Sequence, residues 1–374
     1  MKLNKVFIAL VIILALVVIK DSFKTTTRIR SPRLGNPQMV LQEANFEIVV
    51  DGLLPFIDND VKFSVTSDDS TYDLEVTTVR GNTFTTNSQS ELEPGVYKIS
   101  AKINGKLFEN PKAIFVYKEF PNDFSIFHAA DLPDIDGGDS EKLLNALIED
   151  VQLEQPELLL LTGDLVYHGG AERYDKFYQA ISKLNIPIII CPGNHEREDW
   201  SLYLNYFPDP IHSNSFGKLA VISLDSAHGR EQLSNNQLSW FEDQLNNNTN
   251  KEILVQIHHP VVGARSIERN QQKFINLLKR HGVSATLSGH THVDAFHTAD
   301  GNEWLKNELP SKPWLLTTTT YDYDVAPAPN GGLTFPGYRI LEYKNNELVT
   351  VGKLYEQGRS FMSNRVNLDT KLKK

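Results

Sequence analysis

Polar residues that could bind metal ions follow five separate apolar runs between residues 124 and 292. Carboxylate oxygens and imidazole nitrogens are common protein ligands of divalent and trivalent metals. A pair of ions needs ligands from several strands, so the five clusters together are more informative than any one of them. The clusters are Asp131, Gly163-Asp164, Gly193-Asn194-His195-Glu196, His258-His259-Pro260 and Gly289-His290-Thr291-His292.

The residue types in these clusters suit the hydrolysis of a phosphate ester. Such a reaction needs water converted to hydroxide near neutral pH and charge neutralised on phosphoryl oxygens, and two metal ions about 3.5–4 Å apart do both. Asp164 suits the bridging ligand because Gly163 permits a tight turn and close metal approach. Asn194 offers a neutral amide oxygen. His290 and His292, two residues apart in an extended segment, project to the same side and could bind neighbouring ions.

In this order the clusters resemble the metal-binding signature of the calcineurin-like metallophosphoesterases, over roughly residues 124–355. Leu224-Asp225-Ser226 and Gln237-Leu238-Ser239-Trp240 are also similar to the middle region of that family. The resemblance implies a hydrolase that cleaves small-molecule phosphate esters by attack of a metal-bound hydroxide at a dinuclear site. It implies two metal ions as cofactors, with Fe, Mn or Zn as candidates.

The same resemblance implies a role for each matching position. His195 and Asp164 are the expected catalytic residues, with His195 protonating the leaving oxygen or binding the phosphate and Glu196 supporting the site from behind. Substrate contacts are expected from His195, Asn194 and His259. One metal would take Asp131, Asp164 and His292, and the other would take Asp164, Asn194, His258 and His290.

The first cluster departs from the common family pattern. Most members have a histidine two residues after the aspartate, whereas Pro133 stands there in this chain and cannot coordinate a metal. Tyr167 is an alternative ligand, because the run from Gly163 to Tyr167 matches the Gly-Asp-x-x-Tyr block of the purple acid phosphatases. Asp134 or Asp136 could instead supply the missing oxygen.

Bulk composition limits the other possibilities. The chain has 374 residues, which is enough for two domains, and its 40% hydrophobic and 22% charged residues are typical of a globular protein. A formal net charge of -10 argues against a nucleic-acid duplex as partner. The lone Cys191 excludes an intrachain disulfide and a cysteine-rich zinc site.

The apolar pattern divides the chain into two domains. Residues 38–119 show short alternating runs separated by turn signals, which predicts a small all-β sandwich of the immunoglobulin or fibronectin kind. The run from Leu92 to Tyr97 resembles a tyrosine corner. Residues 120–358 alternate apolar strands with helices, which predicts an α/β fold, and the resemblance implies a layered α/β/β/α arrangement. Strands are expected at 124–129, 158–161, 188–190, 219–224, 253–257, 285–287, 314–320 and 338–343, and helices at 141–151, 173–184, 237–245 and 271–281.

The first residues are predicted to form a targeting signal. Lys2 and Lys5 precede an apolar run from Val6 to Ile19, which predicts a signal anchor or signal peptide over residues 1–21. We expect an extracytoplasmic protein, periplasmic or at the cell surface, that is anchored to the membrane by this segment. More positive charge follows the run than precedes it, and by the positive-inside tendency this favours the opposite orientation. Residues 22–37 are predicted to be a linker and 359–374 a tail.

Two alternative functions remain open from the sequence. One is a phosphodiesterase of cyclic nucleotides or glycerophosphodiesters, because the ligand set does not separate monoesters from diesters. The other is a degenerate protein that holds a single metal and acts by binding at the cell surface, an alternative that Pro133 supports.

Overall fold

The computed structural model describes ten stretches of the chain, which between them form three β-sheets, five α-helices and one 3-10 helix. An N-terminal β-rich sheet over residues 28–117 precedes a layered α/β domain, which confirms the predicted fold class. The described residues are 26–53, 59–132, 139–166, 170–226, 232–292, 295–302, 312–318, 337–345, 347–355 and 365–368.

The N-terminal strands form one hydrogen-bonded sheet in the order β1-β3-β6-β5-β4-β7-β8-β2. The sheet folds over a shared core, since Ile29 of the end strand β1 and Ile114 of β8, next to the other end, are buried in the same apolar cluster, against which Val40 of the end strand β2 packs. Its strands are β1 (Arg28–Ser31), β2 (Gln38–Leu41), β3 (Phe46–Asp51), β4 (Val61–Thr66), β5 (Thr71–Arg80), β6 (Thr83–Ser88), β7 (Gly95–Ile103) and β8 (Lys106–Tyr117).

The segment that resembles a tyrosine corner has the hydrogen bond that defines one. The hydroxyl of Tyr97 donates to the carbonyl oxygen of Glu93 at 2.7 Å, while Leu92 is fully buried. The bond fixes the turn into β7 against the core of the sheet.

The second domain has two six-stranded sheets, ordered β11-β10-β9-β18-β19-β20 and β12-β13-β14-β15-β17-β16. Strands β9, β10 and β11 are parallel, as are β13, β14, β15 and β17. The strands are β9 (Phe124–Ala129), β10 (Leu158–Thr162), β11 (Ile188–Cys191), β12 (His212–Phe216), β13 (Leu219–Leu224), β14 (Glu252–Ile257), β15 (Ala285–Ser288), β16 (Ala295–Thr298), β17 (Trp314–Thr317), β18 (Gly337–Lys344), β19 (Glu347–Tyr355) and β20 (Arg365–Leu368).

Successive side chains of each strand point to opposite faces of the sheet, and each face packs against a different layer. Leu158 and Leu160 face the apolar core between the two sheets, whereas Leu159 and Leu161 face helices on the outer side. Helices α1 to α3 cover the first sheet, and α4 and α5 cover the second. The helices are α1 (Asp139–Glu154), α2 (Ala171–Ile181), α3 (Trp200–Tyr206), α4 (Asn235–Asn247) and α5 (Gln271–Arg280), with a 3-10 helix at His195–Asp199.

The prediction of a linker over residues 22–37 is wrong for its described part. Arg28–Ser31 forms a strand that pairs with β3, and Arg28 forms an ion pair with Asp51 at 3.2 Å. Arg33 is buried, and burial lowers the pKa of its guanidinium to about 10. The segment lacks apolar periodicity because only Ile29 and Leu34 are buried apolar side chains, while backbone groups and arginines make many of its other contacts.

The end of that segment, residues 33–37, lies between the two sheets of the α/β domain, and we call it the strap. The carbonyl oxygen of Gly35 accepts from the backbone N–H of Ile190 in β11 at 2.9 Å. The side-chain amide of Asn214 in β12 donates to the carbonyl oxygen of Pro37 at 2.8 Å. Strands β11 and β12 are the edge strands of their sheets, so the strap covers an edge of each.

The predicted anchor at 1–21 and tail at 359–374 lie wholly or largely outside the described residues. Among the helices of the described part, none combines the length and the apolar character needed to cross a membrane.

A chain that starts at residue 120 should be poorly soluble, whereas one that starts at residue 26 should be monomeric. The shorter chain loses the strap and the contact of Met39 and Phe115 with the core around Phe216, so it exposes two sheet edges beside an apolar surface. Size-exclusion chromatography and thermal unfolding would test this. Monomeric behaviour with an unchanged melting temperature in the shorter chain would contradict it.

Candidate metal centre

The five polar clusters meet at one end of the α/β domain. Asp131, Asp164 and Asn194 follow β9, β10 and β11 of the first sheet, whereas His258 and His290 follow β14 and β15 of the second. Parallel strands bring their carboxyl ends to one edge, and the packing of the two sheets brings both edges together.

His258 lies at the centre of the group. Its Nε2 is 3.1 Å from Oδ2 of Asp164, 3.2 Å from Oδ1 of Asn194 and 4.0 Å from Oδ1 of Asp131. One ligand atom each from Asp164, His258 and His290 lie within 4.8 Å of one another. This spacing suits ligands around a single ion and places Asp131 beside it.

Asp131 connects the first cluster to the last. Its two carboxylate oxygens accept from the backbone N–H of His290 at 2.8 and 3.0 Å. Nε2 of His292 lies 3.9 Å from Oδ1 of Asp131. The two histidines therefore reach the group from one short turn, with His290 beside His258 and His292 beside Asp131.

The tautomer of His258 is set by the strand beneath it. Its Nδ1 lies 3.0 Å from the carbonyl oxygen of Thr162, which can only accept, so this nitrogen carries a proton. In the neutral ring, Nε2 then holds the lone pair and faces Asp164 and Asn194. Metal-binding histidines are commonly oriented in this way by a carbonyl on the far side of the ring.

The electrostatics of the group are those of a buried negative site. Burial lowers the pKa of His258, but the charge and hydrogen bond of Asp164, together with Asp131 and the Thr162 carbonyl, raise it more, to about 9. Burial raises the pKa of Asp164, yet His258 holds it well below its usual range. Burial lowers the pKa of His290 to about 3 and that of His292 to about 4, with further lowering from His258 in both cases. These two rings are therefore neutral near pH 7 and available as ligands.

Glu196 holds two of the site loops together. Its Oε2 accepts from the backbone N–H groups of Gly193 and Asp164 at 2.6 and 3.0 Å. Its Oε1 accepts from those of Leu165 and Val166 at 2.8 and 3.2 Å. Burial, followed by the Asp164 carboxylate, raises the pKa of Glu196 to about 7. The side chain is fully buried and occupies the supporting position that the resemblance implied.

The backbone is strained at four of the expected ligands. Asp131, Asp164, His290 and His292 have φ values of 52°, 49°, 70° and 54°. Positive φ is uncommon in residues other than glycine and costs on the order of 1–3 kcal/mol at each position. Such strain persists where surrounding contacts hold the backbone, and here it aims four side chains into one volume.

Two glycines allow the loops to approach. A Cβ on Gly163, whose φ is 77°, would lie 2.7 Å from the Cα of Gly193 and would also meet Nδ1 of His258. A Cβ on Gly193 would meet the backbone N and the carboxylate of Asp164. A side chain at either position would push the two loops apart.

His195 and His259 lie at the margin of the group. Nε2 of His195 is 3.9 Å from Oδ2 of Asp164, and its side chain is 19% exposed. His259 is only 2% exposed, and its Nδ1 lies 2.9 Å from the hydroxyl of Ser226. His195 is thus open to a substrate, whereas the ring of His259 offers a substrate almost no surface.

Some site residues were not predicted, and others cannot be placed. Thr162, whose backbone carbonyl orients His258, was not singled out, and Ser226 was noted only for its resemblance to the family's middle region, without the contact that it makes with His259. Arg197 pairs with Asp225 and stacks over Trp200 at 3.5 Å. The alternative ligands Tyr167, Asp134 and Asp136 lie outside the described residues.

Replacing Glu196 with glutamine should weaken metal binding by about 10–100-fold, the usual effect of losing outer-shell support. The amide group of glutamine would face two backbone N–H groups that now bond to a carboxylate oxygen. We also expect about 2 kcal/mol or more to be lost from the free energy of unfolding. Titration calorimetry and urea unfolding would measure the two effects, with the exposed Glu172→Gln as control. Wild-type values for both quantities in E196Q would contradict the role given to Glu196.

Metal uptake should release a proton and should strengthen as the pH rises towards about 9. The pKa of His258 is raised to about 9, so the metal-free ring is protonated near neutral pH, whereas a metal ligand must be neutral. Affinity for Mn²⁺ or Zn²⁺ should rise about tenfold per pH unit below that value. Calorimetry in buffers of different ionisation enthalpy would count the protons. Affinity that does not change between pH 6.5 and 8 would contradict this charge assignment.

Comparison with known proteins agrees with this geometry. Residues 124–294 match the family described as calcineurin-like phosphoesterase. A probable glycerophosphodiester phosphodiesterase of Arcobacter nitrofigilis is 30% identical over 166 residues, which cover 37% of this chain and 57% of that protein.

Two further relatives are named as cyclic nucleotide phosphodiesterases. A probable enzyme of this kind from Moraxella catarrhalis is 24% identical over 274 residues, covering 65% of this chain and 97% of the relative. The 3',5'-cyclic adenosine monophosphate phosphodiesterase of Haemophilus influenzae is 28% identical over 186 residues, which cover 45% of this chain and 65% of that enzyme. The chain thus spans less than two thirds of the Arcobacter and Haemophilus relatives.

The resemblance to purple acid phosphatases suggested by Gly163 to Tyr167 has no support from the family match or from these relatives. What they support is the broader family, over the region that contains all the described ligand candidates from Asp131 to His292. The chain therefore carries a domain of the calcineurin-like phosphoesterase family.

Proposed function

We propose that the protein is a metal-dependent phosphoesterase that hydrolyses small phosphate esters. The observation that carries the proposal is the convergence of Asp131, Asp164, Asn194, His258 and His290 at the carboxyl ends of strands from both sheets. Membership of the family supports the same reaction class.

The residues present fit a pair of cations. Asp131, Asp164 and Glu196 are at most 1% exposed, and buried carboxylates need balancing positive charge. Without a metal, the proton drawn onto His258 supplies part of that charge. Oxygen and imidazole donors suit Fe, Mn or Zn. Asp164 would bridge the pair, with Asp131 and His292 on one side and Asn194, His258 and His290 on the other.

Two bound cations would supply an activated water and neutralise charge on the phosphoryl group. The residues of the chain provide the rest of the chemistry. Asp164 is held at Oδ1 by the backbone N–H of His195 at 3.0 Å, which leaves Oδ2 facing His258. Glu196 fixes the loop on which Asp164 lies. These contacts fix the geometry of the site before a substrate arrives.

His195 is the proposed proton donor to the leaving oxygen. It lies beside the buried group with part of its ring exposed, and its Nδ1 is 3.2 Å from a carboxylate oxygen of Glu198. The Glu198 carboxylate places negative charge beside Nδ1, and Nε2 lies on the side of Asp164. A general acid in such a position contributes about 10²–10⁴-fold to a hydrolysis rate.

Phosphodiesters are the substrate class that we favour. The support is that the named relatives are phosphodiesterases of glycerophosphodiesters or cyclic nucleotides. Arg265 is exposed and close enough to lower the pKa values of His290 and His292, so it offers a cation at the rim for the anionic substrate. Arg197 is less suited to this role because it already pairs with Asp225.

A protein that holds one ion is the second candidate. Pro133 replaces the histidine of the common family pattern, and one compact group, Asp164, His258 and His290, is found among the described residues. Metal analysis separates the two candidates. Near two ions per chain favours the dinuclear enzyme, whereas one ion without turnover favours the binding protein.

Asp164→Asn and His290→Ala should each reduce turnover at least about 10³-fold, because each removes a ligand on which the pair of ions depends. Activity would be measured on bis(p-nitrophenyl) phosphate, on p-nitrophenyl phosphate and on cyclic AMP, with metal content determined in the same samples. His281→Gln is the control, because His281 caps the end of α5 before β15, whereas His290 follows the other end of that strand.

We expect the diesters to be cleaved faster than the monoester. Faster cleavage of p-nitrophenyl phosphate would overturn the preference for diesters but not the phosphoesterase. Wild-type turnover in both ligand variants would overturn the phosphoesterase itself. The extracytoplasmic, membrane-anchored location remains a proposal that rests on the apolar run from Val6 to Ile19.

A further inference from the structure

The strap contacts the catalytic domain on both sides of the loop that carries Asn194 and His195. That loop runs from the end of β11 at Cys191 to the start of α3 at Trp200. On the entering side, Ile190 donates its backbone N–H to Gly35 of the strap at 2.9 Å. On the leaving side, Arg33 of the strap reaches the last residues of α3.

Arg33 satisfies carbonyl groups at the C-terminal end of α3. Its Nη2 donates to the carbonyl oxygens of Asn205 and Tyr206 at 2.7 and 2.8 Å, and its Nη1 lies 3.5 Å from that of Leu204. The last carbonyls of a helix have no partner within the helix, and a cation there also complements the helix dipole. The guanidinium is 8% exposed, so these bonds are shielded from water.

Helix α3 has only seven residues, too few to be stable without tertiary contacts. It is joined to the 3-10 helix before it by a row of rings. Arg197 stacks over Trp200 at 3.5 Å, and Trp200 stacks on Tyr203 with ring centroids 5.0 Å apart. Fraying of α3 from its C-terminal end would therefore loosen the residues that follow His195.

We propose that Arg33 is a positioning residue for Asn194 and His195. By fixing the end of α3, it keeps the Asn194 side-chain oxygen 3.2 Å from Nε2 of His258 and the His195 backbone N–H 3.0 Å from Asp164. A residue of the N-terminal segment thus sets the geometry of the site although it contacts none of the ligands. The inference deepens the proposed function and rests on the site assigned there.

Amide hydrogen exchange on the full-length, chelator-treated protein tests the proposal without requiring activity. Arg33→Met should speed exchange about tenfold or more at Gly193 and His195 as well as at Phe207, as local opening becomes easier. The amides of β14 serve as an internal reference for global stability. Arg33→Lys, which keeps a cation that can reach the carbonyls, should restore much of the protection.

The control variant is Arg30→Met. Arg30 lies in the same segment and pairs with Asp51 and Asp209 at 3.6 and 3.3 Å, with a side chain 34% exposed. It should leave exchange at Gly193 and His195 unchanged. Faster exchange at Phe207 alone would show that Arg33 only caps the helix, and this would overturn the proposal. An equal rise in the exchange rate at every amide, including those of β14, would also overturn it. Should Arg33→Met fail to fold, Arg33→Gln, which is shorter and uncharged, takes its place: unchanged protection of Gly193 and His195 in R33Q would overturn the proposal.

Turnover gives a second readout if the chain proves to be an esterase. Arg33→Met should slow esters with poor leaving groups about tenfold more than esters with good ones, because only the former depend on a well-placed proton donor. Equal slowing across the series would show general damage and would contradict positioning of His195. Hydrogen exchange tests the positioning role, whereas turnover tests the esterase. Loss of protection in an inactive protein would therefore support the positioning role and refute the esterase.

Discussion

Three carboxylates with almost no exposure to water lie together at one edge of two packed sheets, and most of the structure around them follows from that charge. Asp131, Asp164 and Glu196 would repel one another if nothing balanced them. Backbone N–H groups, four of which donate to Glu196, and a proton held on His258 stabilise this negative charge. Cations would be attracted to this place more strongly than to an exposed acidic cluster.

Bringing these charged side chains together strains the backbone of the loops that carry them, and the sheets must hold those loops in place. Two of these carboxylates and both histidines of the last cluster have positive φ, and Gly163 and Gly193 leave no room for side chains between their loops. Strained loops keep one shape only if their ends are fixed. The buried parallel strands β9, β10, β14 and β15 fix them, which explains why the ligand candidates follow apolar strands and do not lie on helices.

Most of the site, but not all of the structure around it, could be predicted from the sequence. Polar clusters after apolar strands were sufficient to place Asp131, Asp164, Asn194, His258 and His290 on one edge, because strand direction alone decides that edge. β9 and β13 were predicted to the residue, since each is a continuous apolar run. The strap was not predicted, because it uses backbone carbonyls, Arg33 and the single apolar residue Leu34, which leave no periodic pattern. Strand β12, which reads His-Ser-Asn-Ser-Phe, was missed because a polar edge strand resembles a loop.

The N-terminal sheet is more than a separate module joined by a flexible connection. The two catalytic sheets end on the same side in β11 and β12, and the loop with Asn194 and His195 leaves β11 at that seam. No further strand of either sheet continues the hydrogen bonding there among the described residues, so the loop with His195, the proposed proton donor, would otherwise start from an open edge. The strap closes the edge with Gly35 and Pro37 and fixes the far end of the loop with Arg33. Residues that the sequence pattern predicts to be a linker therefore help to position the site, and the N-terminal sheet, with which their strand β1 pairs, holds them in place.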